Sequence, residues 1–129
     1  MSTNKTSADL SAQGTLYHNP RCSKSRGALE LLTERGVAPA VVRYIEQPPT
    51  PDELREILRL LGLPARSLLR TGEAEYRELG LGDASLDDDA LIEAMSRHPR
   101  LIERPIFVRG GRAVIGRPPE RVLELLQQA

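Results

Sequence analysis

The residue with the clearest chemical potential is Cys22, which stands in the segment HNPRCSKSR at positions 18–26. Pro20 ends a short strand pattern and a helical pattern follows, so the cysteine is predicted at the start of a helix. Helix N-termini present unpaired backbone N–H groups and a partial positive charge, and both favour an anion. The segment holds three basic residues and no acidic one: Arg21, Lys24 and Arg26. The pattern therefore predicts a reactive thiolate.

The size of the required pKa shift is reasonable for such a position. A thiol with a pKa of about 8.5 is mostly protonated at pH 7, whereas a pKa of about 6.5 makes it roughly three-quarters thiolate. The difference corresponds to about 2.7 kcal/mol, which a helix end and a few close cations can supply. The alternative, a buried structural cysteine, does not fit a strand-to-helix turn crowded with basic residues.

The spacing around Cys22 excludes other cysteine chemistries. A phosphatase-type site needs arginine six residues after the cysteine, where Ala28 stands. A dithiol redox pair needs a second cysteine at position 25, but Ser25 stands there and the chain has a single cysteine. One Cys and two His at unrelated spacings predict no metal site. A two-electron reduction by this chain would therefore need an outside thiol.

Length and composition indicate a globular domain. The chain has 129 residues, of which 40% are hydrophobic and 28% charged. The formal net charge of zero gives no general affinity for nucleic acid or for a membrane surface, and no apolar run approaches a membrane span. We expect a cytoplasmic protein in which residues 1–13 are a mobile tail and residues 14–129 form a single domain.

The first part of the predicted domain is a strand, a helix and a second strand. Thr15–His18 reads as a strand, and helically spaced apolar residues follow until Gly36, a residue typical of helix ends. Val41–Ile45 then reads as a β-branched strand. Because strand, helix and strand fit one βαβ unit, the two strands should be parallel.

A helical insertion is predicted next. Thr50, Pro51 and Glu53 combine a capping hydroxyl, proline at the first helical position and glutamate three residues after the cap, which predicts a helix to about Leu61. Two further helical segments are predicted near Glu73–Leu79 and near Asp87–Arg97, the latter opened by Ser85 and acidic residues.

The last part of the chain predicts a β-hairpin and a helix. Ile106–Arg109 and Arg112–Ile115 are strand patterns joined by two glycines, and Pro118-Pro119 starts the final helix. The order βαβ, helical insertion, ββα predicts an α/β fold: a thioredoxin-like, four-stranded mixed sheet with a helical insertion between its two halves.

Several motifs occur in an order that resembles a known family. The most specific motif combines His18-Asn19-Pro20, Cys22 and the Ser25-Arg26 pair. Further agreement lies in Pro48-Pro49, Leu68-Leu69-Arg70, His98-Pro99, Arg104-Pro105-Ile106 and Arg117-Pro118. From about Thr15 to its C-terminus the chain resembles the glutathione- and glutaredoxin-dependent arsenate reductases, the ArsC family.

The resemblance implies a chemical role for each motif. The Cys22 thiolate would attack arsenate and form a cysteine-bound arsenic ester, while His18 and Ser25 tune the thiolate. Three arginines would hold the oxyanion: Arg70, Arg104 and Arg117. Asn19, Arg26 and Pro105 would support the site, with a cis peptide bond between Arg104 and Pro105.

The resemblance also implies the reaction partners. Glutathione, as co-substrate, would attack the arsenic, glutaredoxin would resolve the mixed species, and arsenite would leave. The family implies no bound cofactor and no metal, and we expect a monomer.

Two alternatives stay open. The first is a glutathione-dependent thiol oxidoreductase of the same fold that does not act on arsenate, against which the full arginine set argues. The second is a regulator of transcription that binds RNA polymerase. Relatives of that kind often carry a redox pair of cysteines, which this chain lacks, and the neutral composition gives no nucleic-acid footprint.

Overall fold

The computed structural model describes residues 13–126, which form two compact units. The first unit combines the chain up to Arg43 with the chain from Arg104 onward, and the second is Tyr44–Glu103. The predicted helical insertion corresponds to the second unit. The predicted tail lies outside the described residues apart from Gln13, whose Oε1 accepts a hydrogen bond from the Ala38 N–H at 3.1 Å. The single domain expected over residues 14–129 stays a prediction.

The first unit is built on a four-stranded mixed sheet. Its elements are β1 (Thr15–His18), α1 (Ser23–Glu34), β2 (Ala40–Arg43), β3 (Ile106–Arg109), β4 (Arg112–Ile115) and a 3-10 helix (Pro119–Leu126). The strand order is β2-β1-β3-β4, in which β1 and β2 are parallel and the other two pairs antiparallel. This topology confirms the predicted thioredoxin-like sheet and the βαβ and ββα halves.

The second strand differs from its prediction, which was Val41–Ile45. In the structure β2 is Ala40–Arg43, paired in register from Thr15 opposite Ala40 to His18 opposite Arg43. Beyond His18 the chain leaves the ladder at Asn19-Pro20, so later residues of the β-branched run have no partner strand. The end of β2 is therefore set by the end of β1 rather than by its own sequence.

One apolar cluster joins α1 and the C-terminal 3-10 helix to the sheet. Ala28 and Leu32 lie on one face of α1, four residues apart, and both are fully buried. They pack with side chains from the strands and from the C-terminal helix: Leu16, Phe107, Val114, Val122 and Leu125. The helical spacing of α1 thus fixes which face of the helix meets the core and leaves its N-terminus next to the end of β1.

Gly116 adjoins Arg117 and packs against Pro105, which adjoins Arg104. The Arg104-Pro105 peptide bond is cis, as the resemblance implies, and so is the Arg117-Pro118 bond, which was not predicted. The Gly116 N–H donates to the Pro105 carbonyl at 2.8 Å. A Cβ on Gly116 would lie 2.9 Å from Pro105 Cγ and 3.0 Å from Val122 Cγ1. The absence of a side chain at position 116 therefore permits this close packing.

The second unit is helical. It contains α2 (Pro51–Leu61), a 3-10 helix (Ala65–Leu68), α3 (Ala74–Glu78), α4 (Asp88–Arg97) and a short 3-10 helix (Pro99–Leu101). The helices α2 and α4 pack through buried apolar faces: Leu54, Ile57 and Leu58 on α2, and Leu91, Ile92 and Met95 on α4. Among residues 13–126, no helix has the length and apolarity needed to span a bilayer.

Capping side chains define the ends of these helices. The Thr50 hydroxyl accepts from the Glu53 N–H at 3.1 Å and the Glu53 carboxylate accepts from the Thr50 N–H at 2.8 Å, which confirms the predicted capping box. The predicted opening of α4 by Ser85 is wrong. Asp87 caps this helix by accepting from the Ala90 N–H at 2.9 Å, while the Ser85 hydroxyl bonds to Asp83 at 2.8 Å.

A pair of glycine substitutions tests the packing around Pro105. Gly116→Ala should destabilise the protein by about 1–3 kcal/mol, because the new methyl group meets a proline ring and a buried valine. Gly27→Ala, inside α1, meets Pro119 only at an ordinary 3.6 Å and should stabilise the fold by about 0.4–1 kcal/mol. Urea unfolding of both variants measures the difference. Equal changes in the free energy of unfolding of the two variants would contradict the packing described for Gly116.

Candidate active site

Cys22 is the N-cap residue of α1. Its backbone is extended, with φ −99° and ψ 125°, and its carbonyl accepts the first helical hydrogen bond from the Arg26 N–H at 2.9 Å. Before it, the chain makes a tight turn in which the Cys22 N–H donates to the Asn19 carbonyl at 3.0 Å. The Asn19 side chain steadies this turn by accepting from the Arg21 N–H at 3.0 Å. The sequence-predicted position of the cysteine is therefore confirmed.

The surroundings of the Cys22 sulfur favour the thiolate. Burial raises the pKa of the thiol, but four favourable influences outweigh it. In decreasing order they are the backbone N–H of Ser25, the positive charge of Arg104, the backbone N–H of Lys24 and a hydrogen bond from the Arg104 side chain. The net pKa lies below the ordinary thiol value. The side chain is half-buried, so the sulfur keeps access to solvent.

His18 and Ser25 form a buried pair behind the turn. His18 is 5% exposed and Ser25 is fully buried. The His18 Nδ1 and the Ser25 Oγ are 2.6 Å apart, and the same hydroxyl oxygen accepts from the Asn19 N–H at 3.0 Å. This pair links the end of β1, the turn and the first turn of α1.

The imidazole of His18 is held in its neutral form. Burial lowers its pKa below 6.5, and the positive charges of Arg43 and Arg26 lower it further. The neutral imidazole and the Ser25 hydroxyl can each donate in the bond between them, and the imidazole tautomer decides which one does. Arg43 was not predicted from the sequence. The parallel register of β1 and β2, which sets His18 opposite Arg43, is the signal that locates it.

A groove of about 590 Å³ runs along one face of α1. It begins at His18 and Pro20 and continues over Ser23, Arg26, Gly27, Leu29, Glu30 and Thr33. At its start, Nη1 of Arg26 donates to the Pro20 carbonyl at 2.9 Å, which braces the turn from the helix side. The side chains that line this groove do not include Cys22.

The three predicted anion-binding arginines differ in their position in the fold and in their contacts. Arg104 lies two residues before β3, and its charge and hydrogen bond help to lower the pKa of the Cys22 thiol, so the structure brings these two predicted residues together. Arg117 follows β4 in the same unit and is half-buried. Arg70 belongs to the second unit, where its guanidinium pairs with Glu73 at 2.9 Å. The oxyanion-binding roles of all three stay predictions.

Two of the three predicted supporting residues lie at the turn before Cys22. Asn19 and Arg26 make the contacts described above, and Pro105 lies buried beneath Gly116. In residues 13–126 there is no cluster of three or more His, Cys, Asp or Glu side chains able to hold a metal ion. The chemistry that this arrangement supports is nucleophilic attack by a thiolate.

Comparison with known proteins places the chain in a family. It is 53% identical over 118 residues to protein YfgD of Escherichia coli (strain K12), covering 91% of this chain and 99% of that protein. It is 50% identical over 112 residues to an arsenate reductase of Neisseria meningitidis serogroup A, covering 86% of this chain and 96% of that protein. The structure matches that of an arsenate reductase from Vibrio cholerae with a TM-score of 0.85 and 52% identity. The match covers 87% of this chain and 96% of that chain.

The family model itself matches most of the described chain. It covers residues 17–125, from the strand before the cysteine to the C-terminal 3-10 helix. The matched range includes the turn, the buried His18 and Ser25 pair and the three arginines. The chain therefore belongs to the ArsC family.

Proposed function

We propose that this protein reduces arsenate to arsenite, with Cys22 as the nucleophile and with glutathione and glutaredoxin as the reducing thiols. The observation that carries the proposal is the lowered pKa of a half-buried thiol at the N-terminus of α1, with the guanidinium of Arg104 beside it. Relatives named arsenate reductases at 50% identity over most of the chain support the same substrate.

The first step is a substitution at arsenic. The Cys22 thiolate attacks the arsenic atom, a sulfur–arsenic bond forms, and one arsenic–oxygen bond breaks. The departing oxygen takes up protons from solvent and leaves as water, so arsenic remains As(V) in a cysteine-bound ester. Arginine side chains suit a tetrahedral oxyanion because their N–H groups form paired, charge-assisted hydrogen bonds. We assign this role to Arg70, Arg104 and Arg117.

The second step needs thiols from outside the chain. Arsenate accepts two electrons on its way to arsenite, and the chain has one cysteine. We propose that glutathione displaces a second oxygen from the ester as water. A glutaredoxin thiol then attacks the glutathione sulfur, the two sulfurs form a mixed disulfide, and the electron pair of the broken sulfur–arsenic bond stays on arsenic as As(III). Water finally hydrolyses the Cys22–arsenic bond and releases arsenite.

The buried pair of His18 and Ser25 has a supporting role in this scheme. It ties the Asn19 N–H to the first turn of α1 and so holds the backbone donors that face the thiolate. The neutral imidazole adds no charge to the site. A lone thiolate stays reduced in a compartment rich in thiols, so we propose the cytoplasm as the location. We also propose a monomer as the working form.

The activity is tested with purified full-length protein, arsenate, glutathione and glutaredoxin. The wild-type chain should release arsenite, and Cys22→Ser should release none above the rate without protein, because the serine hydroxyl is a far weaker nucleophile. Arsenite release that persists in the serine variant would contradict the proposal.

Mass spectrometry of the intact protein separates the alternatives. After arsenate and glutathione, an arsenic adduct on Cys22 supports the reductase. A glutathione adduct that forms equally well without arsenate supports a thiol oxidoreductase instead. Stoichiometric recovery of polymerase subunits on the purified chain, without reductase activity, would support the regulator.

Substitution of Arg104 tests the origin of the thiolate. Arg104→Gln removes a positive charge and a hydrogen bond, so the pKa of Cys22 should rise and arsenite release at neutral pH should fall. Each unit of rise lowers the thiolate fraction about tenfold once the pKa lies above the assay pH. The measurement is the rate of Cys22 alkylation by iodoacetamide against pH.

A matched control uses a surface arginine of the same unit. The Arg121 side chain is 47% exposed and pairs with Glu124 at 3.4 Å. Arg121→Gln should leave the alkylation profile unchanged. If both variants keep the wild-type profile, Arg104 does not stabilise the thiolate.

A second pair of variants tests the buried hydroxyl. Ser25→Ala leaves the His18 Nδ1 and the Asn19 N–H without their partner, so it should lower the free energy of unfolding by about 1–3 kcal/mol. Ser23→Ala, at an exposed position two residues earlier, should change it by no more than about 0.5 kcal/mol. If thermal or urea unfolding showed equal losses of stability in the two variants, the buried Ser25 hydroxyl would contribute no more to stability than the exposed Ser23 hydroxyl.

The lowered pKa of His18 also predicts a pH dependence. Between that lowered pKa and the ordinary value of 6.5, the unfolded chain binds more protons than the folded chain. Stability should therefore rise with pH through this window and fall as the pH drops below 6.5. His18→Gln should flatten this part of the curve, as measured by urea unfolding at several pH values. An unchanged slope in the variant would exclude His18 as its source.

A further inference from the structure

Carboxylates hold the Arg70 side chain within the second unit. Its Nη2 lies 2.9 Å from Oε2 of Glu73, and its Nε lies 4.0 Å from Oε1 of Glu103. The exposed fractions of the three side chains are 24%, 17% and 26%, in the order Arg70, Glu73, Glu103. Solvent and salt therefore screen these charges less than they screen an ordinary surface pair.

The backbone dictates this arrangement. Leu69 and Ile102 form an antiparallel β-bridge. The Arg70 N–H donates to the Leu101 carbonyl at 2.7 Å, and the Glu103 N–H donates to the Leu68 carbonyl at 2.8 Å. The bridge thus sets the segments that carry Arg70 and Glu103 side by side.

A turn supplies the second carboxylate. The Glu73 N–H donates to the Arg70 carbonyl at 3.4 Å, which directs the chain back toward the guanidinium. The other oxygen of Glu73 lies 3.7 Å from Nη2 of Arg100, whose own carbonyl accepts from Nη1 of Arg70 at 3.5 Å. The four side chains carry two positive and two negative charges. Arg70 is therefore already neutralised by its neighbours.

We propose that Glu73 is a positioning residue that weakens the binding of the substrate oxyanion at Arg70. The inference rests on the proposed role of Arg70 as an oxyanion ligand. Glu73 orients the guanidinium, and its negative charge competes with the oxyanion for the same N–H donors and repels it in a weakly screened environment. The competition acts on arsenate and on phosphate alike, because both are tetrahedral oxyanions.

The test measures binding without turnover. Isothermal titration of the full chain with arsenate, and separately with phosphate, is carried out in the absence of glutathione. Glu73→Gln keeps the shape of the side chain and removes its charge, so the affinity for both anions should increase at least about threefold. Damage to the fold lowers affinity, so an increase separates the proposed role from a merely structural one.

A carboxylate in a similar pair serves as the matched control. Glu56 lies three residues from Arg59 and pairs with it at 2.6 Å, but both side chains are more than half exposed. Glu56→Gln removes the same charge from the same unit and should leave both affinities unchanged. An equal increase in this variant would mean that net charge, not Glu73, sets the affinity, and would overturn the inference.

A double substitution links the effect to Arg70. The gain from Glu73→Gln should vanish when it is made in an Arg70→Gln background, since the donor under competition is gone. The inference is overturned if Glu73→Gln still raises the affinity in the Arg70→Gln background. It is also overturned if Glu73→Gln alone leaves the affinity unchanged or lowers it, or if neither the wild type nor Glu73→Gln binds arsenate or phosphate. Arsenite release with unchanged affinity in Glu73→Gln rejects only this inference. Increased affinity without arsenite release rejects only the reductase proposal.

Discussion

The chemistry proposed for the first unit depends on stabilising a negative charge on a half-buried sulfur. Burial alone raises the pKa of the Cys22 thiol, so the surroundings must more than offset that cost. Two backbone N–H groups contribute to this, and they are available because α1 begins directly after the cysteine. The guanidinium of Arg104 contributes as well and comes from a distant part of the sequence. The sheet that joins β1 to β3 is what brings the two contributions together.

The pKa values of Cys22 and His18 are both lowered, which favours the charged form of the thiol and the neutral form of the imidazole. The backbone N–H of Ser25 is the largest influence that lowers the pKa of Cys22, followed by the charge of Arg104. Burial is the largest influence on the pKa of His18, followed by the charges of Arg43 and Arg26. The site therefore differs from a thiolate–imidazolium pair, in which the histidine itself provides the counter-charge. Here the guanidinium of Arg104 and backbone N–H dipoles stabilise the thiolate. His18 is a neutral residue that hydrogen-bonds to Ser25. This division of roles frees the thiolate from the titration of a partner histidine.

Local signals in the sequence predicted most of the fold, and contacts between distant residues account for what they missed. The Thr50 capping box and the glycine hairpin depend on neighbours within a few positions, so their sequences suffice. The end of β2 depends on where β1 stops. The cap of α4 depends on which of several nearby polar side chains bonds to the first turn of the helix. In the site, Cys22 was recognised from its own segment, whereas Arg43 and Glu73 were not, because their importance arises from strand register and from a turn around Arg70.

The hydrogen bond from Gly116 to Pro105 connects two segments that each carry an arginine of the proposed oxyanion site. Arg104 adjoins one end of that bond and Arg117 the other, and Val122 packs close to Gly116. The same two segments are joined by the β3–β4 ladder, which begins at Ile106 opposite Ile115, so a shift of either segment is passed to the other. Substitutions in this region should be inherited as matched sets: a larger residue at one position becomes acceptable only when its counterpart in the other segment changes with it.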